Sequence, residues 1–173
     1  MDTSTHSAAS PVSILVIEHA SYSLPWLERE GSGQLSAGQV SPDVIVLSQL
    51  ASEPPTLFAA RVLRRLSRLD RRAEVTRAVV ACGPRLDEAA LSARVRISQA
   101  VLAAAQGSPS AKMTLAAPPM GGGKLRHQLL AIAGTLLEQS PRRAIDISVQ
   151  LGDLASTRRG AFTRGTDIAK KVA

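Results

Sequence analysis

The chain has 173 residues, 45% of them hydrophobic, with 21 Lys or Arg against 14 Asp or Glu and a formal net charge of +7. That length suits one domain with a real core, and its apolar runs are far shorter than the roughly 20 residues a membrane-crossing helix needs, so no membrane partner is expected. A single cysteine, Cys82, excludes an internal disulfide, and three histidines, His6, His19 and His127, are too few to complete a Cys/His zinc cluster.

Residues 1–11 are small and polar and are expected to be disordered; they lack the basic leader and apolar stretch of a secretory signal, which makes cytoplasm the expected location. Val12 to Ile17 reads as a buried strand, rich in β-branched residues. Leu24, Trp26 and Leu27 suggest one short helix before a Gly/Ser loop, and Asp43 to Leu50 reads as a second buried strand behind the break at Ser41-Pro42. Glu53-Pro54-Pro55-Thr56 marks a helix entry. From Leu57 to Arg72, Phe58, Val62, Leu66 and Leu69 keep helical spacing, with Arg61, Arg64, Arg65, Arg68 and Arg72 on the other side.

Thr76 to Cys82 is the third expected strand, closed by Gly83-Pro84, and a second long helix is expected from about Asp87 to Gln106. Lys112 to Ala117 gives a fourth strand. A third helix follows from about Gly123 to Gln139, burying Leu125, Leu129, Ile132, Ala133 and Leu136, and Ala144 to Leu151 a fifth strand at a sheet edge. Residues 153–173, with Arg158, Arg159, Arg164, Lys170 and Lys171, read as a flexible basic tail behind a single domain over 12–152.

Buried strands alternating with helices imply right-handed parallel crossovers, hence an α/β, three-layer, Rossmann-like open sheet of about five mostly parallel strands with helices on both faces. Ligands in such sheets bind at the carboxyl ends of the strands. That places Glu18 and His19, Ser48 and Gln49, Cys82 and Gly83, and Gly121 to Lys124 as candidates. No nucleophile, base and orienting group stand together, so a non-enzymatic binding or regulatory module is the reading. Cys82, in the run RAVVACGP, fits an apolar strand end better than a nucleophile, and His127 a helix surface.

The stretch PPMGGGKLRHQ, Pro118 to Gln128, opens the third helix with three glycines and a lysine. It is not the phosphate loop of common NTPases: Leu125 follows Gly123-Lys124 where a magnesium-binding hydroxyl is required, and Pro118 holds the place of the first glycine. The spacing of Gly121, Lys124, Gly134 and Thr135 does resemble the pattern that universal stress proteins carry after their fourth strand. There a glycine, two residues, a second glycine, nine residues and a glycine with Ser or Thr hold the phosphates and ribose of ATP. The resemblance spans about Val12 to Leu151. It implies ATP or another nucleotide, or another small phosphate compound, held at Gly121, Gly122, Gly123, Lys124, Gly134 and Thr135, with Glu18 at the first strand end. Lys124 departs from the pattern's second glycine, and Glu18 stands where the family commonly has aspartate.

SILVIEHA and SPDVIVLSQ also look like the first and third strands of response-regulator receiver domains. Ser48 would replace their phosphoacceptor aspartate, and Glu18-His19 their acidic pair. That likeness implies a degenerate module that acts through contacts with a protein partner; pairing with a second copy of the chain is a separate expectation. The arginines at 61, 64, 65, 68 and 72 are candidate contacts to an anionic partner such as nucleic acid, or a solvated face paired in part with Asp70 and Glu74. With aromatics at 2% of the chain, base stacking on single strands is not expected.

Overall fold

The computed structural model describes residues 11–19, 43–70, 72–108, 111–118, 122–140 and 145–151. Expectations for the N-terminal residues, the segment 20–42, Gly121 and the basic tail fall outside these. Five strands alternate with three helices: β1 Pro11–Ile17, β2 Asp43–Ser48, α1 Pro55–Leu66, β3 Glu74–Ala81, α2 Glu88–Ala105, β4 Lys112–Ala117, α3 Gly122–Gln139 and β5 Asp146–Leu151. Every strand pair is parallel and the spatial order is β2-β1-β3-β4-β5. The fold is therefore a Rossmann-like open α/β sheet in one of the two common doubly wound orders.

The strand period of two divides the side chains between faces. Val12, Ile14 and Val16, Ala78 and Val80, Met113 and Leu115, and Ile147 and Val149 meet Phe58, Val62 and Leu66 of α1, Ile97 and Val101 of α2, and Leu125, Leu129 and Leu136 of α3 in one large core. The alternate positions Leu15, Val79, Ala81 and Ala116 are buried on the opposite face. The central strands thus lose water on both sides, as a three-layer arrangement requires. That double burial explains why β1, β3 and β4 read as nearly continuous apolar runs.

Helix ends follow local chemistry. Pro55 sits at the start of α1, where its missing N–H costs nothing. Asp87 caps α2, its carboxylate accepting from Ala90 N at 3.0 Å. The Asp87 carboxyl is held below the ordinary range, first by that backbone hydrogen bond and further by the Arg85 guanidinium. After α2, Ser108 turns inward and its Oγ accepts from Val75 N at 2.7 Å, fixing this loop to the start of β3.

The first helix is shorter than its sequence periodicity suggests. Leu69 continues the apolar spacing and packs on the core, but the chain leaves the helix at Ser67, whose Oγ donates to Arg64 O. Asp70 then closes a turn by accepting from Arg72 N at 3.0 Å. Arg68 and Arg72 therefore lie beyond α1 rather than on it. No described helix is long and apolar enough to cross a membrane.

Candidate functional site

The chain leaves β1 toward β2 on one side and enters β3 on the other, so the switch in strand order falls between β1 and β3. Sheets of this class bind ligands at that point. Here it is filled from within. Glu18, just past β1, meets Arg94 of α2, with Nε to Oε1 at 2.6 Å and Nη2 to Oε2 at 2.9 Å. Glu18 Oε2 also accepts from Gly83 N at 2.7 Å. Arg94 donates further to Gly83 O at 2.8 Å, Arg85 O at 2.7 Å and Gln128 Oε1 of α3 at 2.7 Å.

The Arg94 residue is 0% exposed. Burial disfavours its charge, but the Glu18 carboxylate outweighs burial and holds the guanidinium above its ordinary pKa. One arginine thus ties the end of β1, the loop after β3, α2 and α3 into a single unit. The adjoining crevice, lined by Glu18, Gln49, Phe58, Arg85, Ala93 and Ile97, encloses about 20 Å³, room for one water molecule and far less than a nucleotide needs.

Cys82, in the same region, is buried, and burial, aided by the Glu18 carboxylate, pushes its thiol pKa far up. A thiol so placed is a poor nucleophile. His19 is exposed, and its backbone N–H donates to Gln49 Oε1 at 3.2 Å. Glu18, His19 and Cys82 therefore share a neighbourhood without forming a nucleophile and base pair. Among the described residues no group of three or more His, Cys, Asp or Glu is placed to hold a metal ion.

A second polar cluster follows β2. Glu53 accepts from Arg61 Nε at 2.8 Å, from Arg61 Nη2 at 2.7 Å and from Leu50 N at 3.1 Å. Arg61 Nη2 also reaches Ser48 O at 2.6 Å, and its guanidinium lies 5.4 Å from the centre of the Phe58 ring. Gln49 completes the loop by donating to Glu53 O at 2.8 Å. Arg61 is thus engaged by its own loop, unlike Arg64, Arg65, Arg68 and Arg72. Ser48, the residue that the receiver likeness sets in place of an aspartate, ends the edge strand and contributes its carbonyl to this loop.

Arg64, Arg65, Arg68 and Arg72 are exposed, and no ion pair joins them to Asp70 or Glu74. In the glycine-rich region, Gly122, Gly123 and Lys124 form the first turn of α3, with Gly123 and Lys124 exposed at the carboxyl end of β4. Gly134 and Thr135 lie ten residues along the same unbroken helix, about 15 Å away along its axis, and Thr135 Oγ1 donates to Ala131 O at 3.1 Å. The first turn and the Gly134-Thr135 pair therefore do not line one site. His127 is exposed on α3.

Arg94 is the residue that reading the sequence misses. Its signal is present nonetheless: Ala90, Ala93, Arg94, Ile97, Ser98, Val101, Leu102 and Ala105 keep one helical face, and Arg94 is the only charge on it. A charge in register with an apolar stripe calls for a buried partner. Searches of protein-family models, curated proteins and solved structures returned no match to this chain.

Proposed function

We propose that this protein is a regulatory binding module that takes a small phosphate compound, an adenine nucleotide being the leading choice, at the first turn of α3. The observation that carries this reading is Gly123. Among the described residues a side chain there would meet nothing within 4 Å, and its backbone is not in the left-handed region that favours glycine. Neither packing nor conformation calls for the residue. A close approach of a ligand oxygen to the backbone does.

Three further features point the same way. The first N–H groups of an α-helix have no acceptor within the helix. No acidic residue offsets them in this turn, and the exposed Lys124 adds positive charge where the helix dipole is already positive. A bound anion balances both. The spacing shared with universal stress proteins favours a nucleotide as that anion. The reading uses Gly122, Gly123 and Lys124, and leaves Gly134 and Thr135 to the helix. Binding without turnover is inferred from the site near Glu18, where the carboxylate and guanidinium engage each other and Cys82 is unreactive.

Isothermal titration calorimetry with ATP, AMP and inorganic phosphate tests this. Lys124→Ala and Gly123→Val should each weaken binding about tenfold or more, the scale of one charge-assisted hydrogen bond. Gly123→Ala should raise thermal stability by about 0.5–1 kcal/mol, as glycine is a poor helix former. Absence of heat with all three ligands at millimolar concentration would remove the proposal, as would unchanged affinity in both weakening variants.

A further inference from the structure

We propose that Arg64, Arg65, Arg68 and Arg72 form a docking surface for the phosphate backbone of duplex DNA. The surface is separate from the α3 turn. Helix α1 runs from the carboxyl end of β2 back toward the start of β3, so its arginine-rich end lies at the opposite end of the strands from the first turn of α3.

Ordinary structural roles account for only half of this charge. Basic residues in the last turn of a helix offset its dipole, which covers Arg64 and Arg65. Arg68 and Arg72 lie past the helix end and do not serve it. Nor does any described carboxylate form an ion pair with the cluster. No acidic residue occurs between Glu53 and Asp70; Glu53 is occupied by Arg61, and an Asp70 oxygen accepts the backbone N–H of Arg72. The contrast with the held arginines is direct: Arg61, Arg85 and Arg94 each meet a carboxylate within 3 Å.

Guanidinium groups suit phosphate because their planar donors can bind two oxygens at once. Four of them spaced over nine residues, on a chain of net charge +7, present a polyanion with several contacts. Among the described residues no ring is offered for stacking a base: Phe58, their one aromatic, is buried in the core. A duplex, whose phosphates face outward and whose bases need not be read, is the nucleic acid such a surface fits. Binding is accordingly independent of sequence.

Fluorescence anisotropy of a labelled duplex of about 20 base pairs, titrated with the full chain between 50 and 200 mM NaCl, measures this binding. Four phosphate contacts give a plot of log affinity against log salt with a slope of about −3.6. The variant R64Q/R65Q/R68Q should lose about 3 of that slope while keeping its circular dichroism spectrum. AT-rich and GC-rich duplexes should bind within a few fold of each other. An absence of binding at 50 mM NaCl would overturn the proposal. So would an unchanged slope in the triple variant, which would assign the binding to other basic residues, or tighter binding of polyglutamate than of DNA, which would give the surface to an acidic protein.

Discussion

Arg94 shows at the residue scale how a charge is kept in a core. Each of its side-chain nitrogens has an acceptor, and the acceptors come from three separate parts of the chain: Glu18 after β1, Gly83 and Arg85 in the loop after β3, and Gln128 of α3. Taking such a pair out of water is costly, and the return lies in the loops it fixes rather than in net stability. Breaking it is another matter. Arg94→Met takes the guanidinium away from the Glu18 carboxylate and should cost about 3 kcal/mol, the lower end of the usual range because Glu18 keeps the Gly83 N–H and 14% side-chain exposure. Glu18→Gln/Arg94→Met should be destabilised by clearly less than the sum of the two single changes. A urea-denaturation double-mutant cycle reads the coupling, and additive values would show that the pair is not a unit.

The loop entering α1 supplies a pH dependence at the scale of the element. The Arg61 side-chain hydrogen bond, together with the Leu50 backbone N–H, holds the Glu53 carboxyl below its ordinary value of 4.5. A lowered folded pKa means that the stabilisation is complete above 4.5 and is lost as pH falls through the folded value. With Arg61 41% exposed, solvent screens the pair, and about 0.5–1 kcal/mol at neutral pH is the scale to expect. Glu53→Gln should show that deficit at pH 7 and converge on the parent protein as pH drops below 4.5. A deficit independent of pH would assign the effect to packing instead. The same helix shows where local reading overshoots. Leu69 keeps the apolar period, but Ser67 and Asp70 satisfy the backbone in a turn, and that competition between helix and turn is not settled by periodicity.

The whole molecule is organised around a sheet whose central strands are shielded on both faces, with the buried Cys82 just past the end of its middle strand, β3. That places the one thiol where it reports on opening. In the native protein Cys82 should resist a thiol reagent such as dithionitrobenzoate, and its labelling rate should rise with denaturant in step with global unfolding. Rapid labelling without denaturant would instead mean that the region around Glu18 and Arg94 opens locally. The two proposed surfaces, the first turn of α3 and the end of α1, lie at opposite ends of this sheet. Binding at one can therefore be tested with the other intact.

The order of buried strands and amphipathic helices, and with it the parallel open sheet, was already determined by the sequence, because each element is set by local periodicity and the handedness of crossovers limits their assembly. β4 and the buried face of α3 are legible residue by residue for that reason. The tertiary structure alone decided the strand order and which charges meet. Glu18 and Arg94 are 76 positions apart, and their contact exists only because β1 and β3 are neighbours. It also decided that Arg61 is held by its own loop while Arg64, Arg65, Arg68 and Arg72 are not. The partner of a charge depends on distances through space, which spacing along the chain does not encode.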